Sequence, residues 1–234
     1  MHVFYTPDIS SSDYVLNEEE SRHCTKVLRL GTGAKVHLID GRGGLYTAEI
    51  TSETRKNVSL KVITVIRDYG QRRHHLHLAV APTKNIDRFE WFLEKATEAG
   101  IEEITPLICD RSERKTIKED RLNKIITSAV KQSLQAYHPI LHPPADLNEF
   151  IRQERSGTKM IAHCLENEPK QYISQVASPG QHYIILIGPE GDFTPQEIAG
   201  ALRNGYKPLT LGNTRLRTET AALSACFEIN YLNR

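Results

Sequence analysis

The spacing of apolar residues changes near residue 70, and this change constrains the fold more than any other feature of the chain. Before it, segments such as 35–39 and 58–62 alternate apolar and polar residues with the period of two that is typical of β-strands. After it, strand patterns alternate with amphipathic helical patterns, which indicates an α/β domain with a mainly parallel sheet. We therefore predict a small β-barrel over residues 1–70 and an α/β domain over residues 71–234.

Nine segments of the predicted α/β domain have a clear helical or strand pattern. The predicted strands are 76–81, 104–109, 160–165, 183–187 and 208–211, and the predicted helices are 87–99, 118–137, 194–204 and 218–232. The start of one helix is especially clear, because Thr194 can cap it, Pro195 takes its first position and Glu197 follows three residues after the cap. The segment just before Thr194 is therefore a loop at the carboxyl end of a strand, where open α/β sheets bind ligands.

Composition excludes several classes of protein. No stretch approaches the roughly 18 apolar residues of a membrane span, and the first residues lack the pattern of a signal peptide, so we expect a cytoplasmic protein without membrane contact. The four cysteines form no close pair, and we expect four buried, reduced thiols at Cys24, Cys109, Cys164 and Cys226. Thirty Lys+Arg against 29 Asp+Glu give a net charge of +1, so any RNA-binding surface must come from local clusters of basic residues.

The first candidate ligand loop is the run IGPEGDF at 187–193. Its glycines and proline give a rigid loop with little side-chain cover, so that a ligand can approach the backbone closely. Glu190 and Asp192 would repel a pyrophosphate, which favours a cationic or zwitterionic ligand. A well-capped loop that binds no ligand explains the same spacing equally well.

The second candidate loop, 211–220, also leads from a strand into a helix. Arg217 and Glu219 stand at the loop-to-helix transition, where the helix N-terminus offers unpaired N–H donors. In the alternative interpretation Thr218 caps the helix, Glu219 complements the helix dipole and Arg217 is solvated. The residue pattern alone favours this alternative.

Several long motifs resemble one family. The runs IGPEGDFTPQEI and LGNTRLRTETAAL resemble the cofactor loops of the RsmE-type branch of the SPOUT methyltransferases, the bacterial enzymes that methylate N3 of a uridine in 16S ribosomal RNA. HCTKVLRLGTGAKVHLIDGRGG resembles the PUA-like RNA-binding barrel of that family, and KNIDRFEWFLEKATEAGIEEITPLICDRSER resembles the start of its catalytic domain. The resemblance covers nearly the whole chain. The chain departs from the family pattern at three places. It has Asp192 where the family usually has glycine, Asn213-Thr214-Arg215 in place of a Pro-Arg-Ile/Val-type run, and Gln135 in place of an arginine.

The resemblance implies an N-terminal PUA-like β-barrel that binds RNA, followed by a SPOUT α/β domain with a C-terminal trefoil knot whose loops bind S-adenosylmethionine. It also implies a homodimer, and the small residues Ala221, Ala222 and Ala225 are compatible with close helix packing. The residues implied for cofactor binding are Leu165, Ile187, Gly188, Pro189, Glu190, Gly191, Leu211, Gly212, Leu216, Thr218 and Thr220.

The expected RNA partner is small-subunit ribosomal RNA, either free or in the assembled 30S particle. Candidate RNA-binding residues are Arg111, Arg114, Lys118 and Arg121 in the second domain and His23, Lys26 and Arg29 in the barrel. Arg114, Lys118 and Arg121 would share one helix face suited to phosphate contacts, and His23, Lys26 and Arg29 recur at helical spacing. A solvated surface with no role in RNA binding is the alternative for both groups.

A run of histidines suggests a metal site only weakly. His75 and His77 would share one face of a strand, but the sequence places no third ligand beside them. We therefore predict no bound metal.

Methyl transfer to uridine N3 requires alignment of the reactants and loss of the N3 proton. Under the resemblance, Arg217 and Glu219 are the catalytic residues: Arg217 would stabilise negative charge on the uracil oxygens, and Glu219 is the candidate base. Two alternatives stay open, namely a SPOUT enzyme that methylates a ribose 2′-hydroxyl or another base, and a non-catalytic ribosomal RNA-binding assembly factor. The intact Gly188, Gly191, Arg217 and Glu219 argue against the second.

Overall fold

The computed structural model of the protein describes residues 2–54, 56–165 and 169–234. The chain divides into two structural units. The first unit comprises Met1–Gln71 together with Thr127–His138, and the second comprises Arg72–Ile126 together with Pro139–Arg234.

The first unit is built on a five-stranded sheet. Its elements are β1 (Val3–Tyr5), β2 (Asp13–Val15), α1 (Glu18–Arg22), a π-helix (His23–Val27), β3 (Lys35–Ile39), β4 (Leu45–Glu53) and β5 (Val58–Ile66). The strand order is β1-β3-β4-β5-β2, with β1 parallel to β3 and the other neighbours antiparallel. Two register shifts interrupt the pairing of β4 with β5, and such irregularities bend strands and increase their twist. This architecture, in which a bent sheet predominates, agrees with the predicted PUA-like barrel.

The alternation of apolar residues places one face of this sheet in a core. Phe4, Val36, Leu38 and Ala48 in this core are all 0% exposed, as the period of two predicts. The predicted turn after β3 is also present. The Asp40 carboxylate accepts hydrogen bonds from the backbone N–H groups of Arg42 and Gly44 at 2.8 and 2.9 Å and so holds the chain reversal.

The second unit alternates strands and helices around one sheet. Its elements are β6 (His75–Val80), α2 (Ile86–Ala99), β7 (Glu103–Ile108), α3 (Glu119–Ser133), β8 (Ile140–Leu141), β9 (Ala145–Asp146), α4 (Leu147–Arg152), β10 (Thr158–Ala162), α5 (Ile173–Val176), β11 (His182–Ile187), α6 (Pro195–Arg203), β12 (Lys207–Leu209) and α7 (Thr218–Leu232). Of these, α3 is divided, because its residues from Thr127 onwards belong to the first unit. The strand order is β12-β10-β11-β6-β7-β8, and β9 also pairs with β7. These neighbours are parallel. The predicted parallel α/β domain is confirmed.

The five predicted strands and four predicted helices all exist, but three of their ends were wrong. The strands predicted over 160–165 and 208–211 end at Ala162 and Leu209. The helix predicted over 118–137 ends at Ser133, because Leu134 has a positive φ of 59° that a helix cannot continue through. The pattern also missed β8, β9, α4 and α5, which are too short to show a period. The Thr194 cap is confirmed, since its side chain accepts from Glu197 N while Glu197 accepts from Thr194 N.

Helices α2 and α7 pack against each other. Ala222 and Ala225 are both 0% exposed in the single chain, so these small residues serve packing within the chain. Asn230 donates to the carbonyl of Gly100, the residue that ends α2, at 2.8 Å. The exposed face of α7 instead carries Phe227 and Tyr231.

The expectation of four buried thiols was wrong at one position. Cys24, Cys109 and Cys226 are buried, whereas Cys164 is exposed in the loop after β10. Among the described residues, none of the helices has both the length and the apolar character that crossing a bilayer requires.

Candidate active site

Three loops leave one edge of the sheet side by side. Strands β12, β10 and β11 are parallel neighbours, so the loops after them begin at the same carboxyl edge. We call residues 163–165 the β10 loop, residues 187–193 the glycine loop and residues 211–217 the arginine loop. All of the predicted cofactor residues lie in these loops or in the first turn of α7.

The exposure of the predicted cofactor residues differs along these loops. Ile187, Gly188, Pro189 and Thr218 are buried, Leu211 and Leu216 are partly buried, and Leu165, Glu190, Gly191, Gly212 and Thr220 are exposed. The buried group joins the loops to the sheet. The exposed group is accessible to a ligand.

Asp192 holds the glycine loop to the β10 loop. Its φ of 60° lies in the left-handed region, where the family usually has glycine. Its carboxylate accepts from the backbone N–H of Phe193 and from that of Cys164, both at 2.8 Å. The departure from glycine therefore adds a connection between two of the three loops.

A second set of contacts fastens the glycine loop to other loops of the second unit. Arg111 donates to the carbonyl oxygen of Gly191 at 2.7 Å, and Glu190 accepts from the backbone N–H of Lys84 at 2.9 Å. Arg114 donates to the Lys84 carbonyl at 2.7 Å. Arg111 and Arg114, predicted to bind RNA, therefore also organise the loops of the candidate site.

Thr218 joins the arginine loop to the glycine loop. Its hydroxyl donates to the Gly188 carbonyl oxygen at 3.0 Å in a buried setting. The residue that precedes the helix in the capping position is Arg217, so the alternative in which Thr218 caps α7 was wrong. The two runs that resemble cofactor loops are thus physically coupled at the base of α7.

The predicted catalytic residues lie together in a cleft of about 580 Å³. Its lining combines the start of α2 with the arginine loop and the first turn of α7, and consists of Asp87, Arg88, Trp91, Arg215, Leu216, Arg217, Glu219 and Thr220. The arrangement brings two predicted cofactor residues, Leu216 and Thr220, next to Arg217 and Glu219. The glycine loop does not line this cleft and meets it only through the Thr218 hydrogen bond.

Glu219 has an environment suited to a functional carboxylate. It is only 7% exposed, and its Oε2 has no hydrogen-bond partner among the described residues. Its Oε1 lies 3.9 Å from Nε of Arg88. A buried carboxylate with an unpaired oxygen is costly, and such groups occur where function requires them. Sequence patterns missed Arg88 because nothing in the polar face of α2 points to a residue 131 positions later.

The glycines of these loops differ in what their missing side chains would meet. A Cβ at Gly188 would lie 3.1 Å from the Phe193 ring, so a larger residue there would require that ring to move. A Cβ at Gly191 would lie in contact with Arg111 at 3.4 Å, and one at Gly212 would meet open space. Gly188 therefore contributes to the packing of the loop, and the approach of a ligand to its backbone stays a prediction.

The predicted phosphate-contacting face of a helix does not form. Helix α3 begins at Glu119, so Arg114 and Lys118 precede it. Arg121 is on the helix, but its Nε lies 2.6 Å from Oε1 of Glu90. Arg111, Lys118 and Arg121 are all exposed, and among the described residues Lys118 differs from the arginines in that its side chain holds no ion pair or hydrogen bond.

The basic residues predicted in the barrel lie on irregular backbone. His23 and Lys26 belong to the π-helix, and Arg29 follows it with a φ of 55°. His23 and Lys26 therefore share a helix as their spacing predicts, whereas Arg29 lies beyond its end. Lys26 and Arg29 are exposed, and His23 borders a cleft of about 660 Å³ that is also lined by Glu18, Glu19 and Glu20 and by the cations Arg22 and Lys131.

Comparisons with known proteins agree with this architecture. A family model described as an RNA methyltransferase domain matches residues 71–230, and one described as an RNA methyltransferase PUA domain matches residues 16–63. Ribosomal RNA small subunit methyltransferase E of Mesomycoplasma hyopneumoniae is 32% identical over 169 residues, covering 70% of this chain and 72% of that protein.

Solved structures extend the similarity over the whole chain. A probable rRNA-methyltransferase from Porphyromonas gingivalis is 39% identical, with a TM-score of 0.93, and the match covers 100% of this chain and 98% of that one. Ribosomal RNA small subunit methyltransferase E from Neisseria gonorrhoeae, solved with S-adenosyl methionine bound, is 27% identical with a TM-score of 0.90 and the same two coverages.

The fold and the two matched domains are those of an RNA methyltransferase with an N-terminal PUA domain. The chain belongs to this family of RNA methyltransferases, in the branch that contains Ribosomal RNA small subunit methyltransferase E. The resemblance drawn from the loop motifs is confirmed.

Proposed function

We propose that the protein methylates N3 of a uridine in small-subunit ribosomal RNA, with S-adenosylmethionine as the methyl donor. The observation that carries this proposal is the coupling of the glycine and arginine loops through Thr218 beside a cleft that contains Arg217 and Glu219. Family membership and the bound S-adenosyl methionine of the Neisseria relative support it.

The residues of the site fit S-adenosylmethionine. The ligand carries a sulfonium cation, a carboxylate and an amine, and it supplies the methyl group. The exposed backbone of Gly191 and Gly212 leaves main-chain groups accessible, and Glu190 contributes negative charge near a cationic ligand. We propose that the exposed residues of the three loops contact the ligand and that the buried ones shape its pocket.

Methylation replaces the N3 proton of the uracil by a methyl group, so the protein must receive that proton and stabilise negative charge. Arg217 precedes α7 and lines the cleft, where its guanidinium and the positive end of the helix dipole both favour charge on the uracil oxygens. Glu219 offers a buried carboxylate oxygen with no partner among the described residues, and we assign it the role of base. Arg88 is placed to orient it.

For RNA binding, the basic side chains that are not already bound to other groups of the chain matter more than the total number of basic residues. Lys118, Lys26 and Arg29 are exposed, and we propose that they contact phosphates. Arg111, Arg114 and Arg121 already hold partners in the chain and would contact RNA only through their remaining donors. His23 would bind RNA at the border of a cleft in which Arg22 and Lys131 pair with Glu18 and Glu20, and Glu19 adds a negative charge.

We further propose that the protein is a cytoplasmic homodimer and that its C-terminal segment forms the knot of its family. Its substrate is either the ribosomal RNA or the assembled 30S particle. Phe227 and Tyr231 are 51% and 71% exposed on α7 and provide an apolar face for a second copy. Sedimentation should give one species near twice the 26.5 kDa chain mass. Tyr231→Glu should shift it towards the monomer, and an active wild-type monomer would refute the dimer.

The function is tested by incubating the purified protein with S-adenosylmethionine and small-subunit RNA, free or as 30S particles, and identifying the methylated nucleoside by mass spectrometry. The product should be 3-methyluridine. Arg217→Ala should reduce turnover by about 10²–10³ while the Kd for S-adenosylmethionine stays unchanged, because the lost interaction exists mainly in the transition state. Arg203→Ala, an exposed arginine of α6, is the control and should remain fully active.

Other results identify the alternatives. A 2′-O-methyl product would indicate the related ribose enzyme, and RNA binding without cofactor binding would indicate an assembly factor. Loss of cofactor affinity in Arg217→Ala would move that residue from catalysis to the cofactor pocket.

A further inference from the structure

A second cluster of polar side chains lies on the sheet of the second unit, away from the loops of the candidate site. His77 is on β6, Glu103 is the first residue of β7, and His142 follows β8 directly. His77 and Glu103 belong to the amino-terminal halves of β6 and β7, and β8, which ends just before His142, pairs with the first two residues of β7, whereas the candidate active site lies at carboxyl ends of other strands. The three residues offer one ligand atom each, and these atoms lie within 4.8 Å of one another.

One carboxylate oxygen lies at the centre of the cluster. Glu103 Oε2 is 2.6 Å from His142 Nε2 and 3.5 Å from His77 Nδ1. In a tetrahedral zinc site with bonds of about 2.0–2.1 Å, neighbouring ligand atoms are about 3.3 Å apart. Small side-chain movements would therefore bring all three atoms to ligand distance around one ion.

Two neighbouring residues fix the orientation of these side chains. His75 Nε2 lies 2.6 Å from the other oxygen of Glu103, and Thr105 Oγ1 lies 2.8 Å from His77 Nε2. Partners of this kind orient metal ligands in proteins and select the tautomer of a ligating histidine. If Thr105 accepts the His77 Nε2 proton, the lone pair of Nδ1 is directed towards Glu103, and a cation between them would relieve the repulsion.

The charge of one neighbouring residue opposes a bound cation. Arg155 interacts electrostatically with His77, and its positive charge would limit the affinity of the cluster for a metal ion.

We propose that His77, Glu103 and His142 bind one divalent transition-metal ion of the zinc class, with a fourth position left for water. Two imidazoles and a carboxylate are an established ligand set for such ions. The sequence predicted no metal because it showed no third ligand beside the histidines of one strand. In the folded chain, the neighbouring segments of the sheet supply two further ligands. The ion would join β6, β7 and the segment after β8, and so would stabilise the sheet rather than take part in methylation.

The test uses the full-length protein, free of affinity tags and stripped with a chelator, to which ZnCl₂ is added. Equilibrium dialysis with elemental analysis should show one zinc per chain. Since a ligand stabilises the folded state by its occupancy, a hundredfold excess over the Kd should raise the unfolding midpoint by about 5–10 °C. Glu103→Gln and His142→Asn should each lower zinc affinity at least tenfold.

The control is His182→Asn, because His182 stacks on His75 at 5.1 Å but belongs to no ligand set, and it should retain wild-type affinity. If both ligand variants fail to fold, X-ray absorption of the wild-type zinc complex decides. Ligation by nitrogen and oxygen only supports the site, whereas sulfur ligation would assign the ion to the exposed Cys164 and overturn it. Absence of zinc binding, or unchanged affinity in folded Glu103→Gln and His142→Asn, would also overturn it.

Discussion

The hydrogen bond from Thr218 to Gly188 connects the two loops proposed to hold the methyl donor, and Thr218→Val removes it with almost no change in shape. Thr218 is 5% exposed and donates to the Gly188 carbonyl at 3.0 Å. In the variant this buried oxygen loses its donor, which costs about 1–3 kcal/mol. For a chain of this size each kcal/mol lowers the unfolding midpoint by about 2–4 °C, so we expect a decrease of about 6 °C.

The same substitution should weaken S-adenosylmethionine binding. If both loops contact the ligand, they must be aligned with each other when it binds. Without the hydrogen bond, part of the binding free energy is needed to restore this alignment. A cost of about 1.4 kcal/mol corresponds to a tenfold increase in the Kd, which calorimetry measures directly.

Two controls separate the hydrogen bond from other effects. Thr218→Ser retains the hydroxyl and should retain most of the affinity. Thr116→Val makes the same chemical change at an exposed position before α3 and should change neither the midpoint nor the Kd. A folded Thr218→Val protein whose Kd stays within twofold of wild type would refute the coupling of the two loops in ligand binding.

Two further predictions concern the other loops and the thiols. Asp192→Ala should lower the free energy of unfolding by about 2 kcal/mol, because the N–H groups of Cys164 and Phe193 lose their acceptor while the left-handed backbone remains. Asp192→Gly should cost less because glycine adopts that φ freely. Chemical denaturation measures both, and a larger loss in the glycine variant would contradict the assignment. In native protein at pH 8, one thiol per chain should react with a disulfide reagent, because Cys164 is exposed while burial raises the pKa of Cys226 to about 12. If a fast-reacting thiol persists in Cys164→Ser, another cysteine is accessible and the assignment of buried thiols is wrong.

The sequence predicted the second unit well because its signals are local. The Thr194 cap, with Pro195 and Glu197, determines where one helix begins, and the glycine loop must lie just before it. The apolar face of α2 also follows from the local spacing of its apolar residues, and Phe89, Phe92 and Leu93 on that face are fully buried as predicted.

What the sequence could not predict depends on residues that meet across the fold. Nothing in the run around Thr218 indicates that its hydroxyl reaches Gly188, 30 positions away, so a helix cap was the natural interpretation. The alanines of α7 show the same limit: small residues indicate close packing but do not identify the partner, which is α2 of the same chain. His77, Glu103 and His142 come from three separate segments, and only the parallel pairing of β6, β7 and β8 brings them together.

The basic cluster shows why charge patterns overestimate nucleic-acid surfaces. A count of charges along the sequence gives the same weight to Arg111, Arg114, Lys118 and Arg121. The structure distinguishes them, because some of their N–H donors already bind other groups of the chain. The three arginines have planar groups with several fixed donors, and they bind four carbonyl oxygens and one carboxylate of their own chain. Lysine carries a compact charge on a flexible stem, and Lys118 stays exposed. Because Arg111 and Arg114 hold the loops around the candidate cofactor site, an RNA phosphate that attracted either side chain would compete with the contacts that shape that site. We therefore expect cations with no such role, such as Lys118, to bind RNA without this competition.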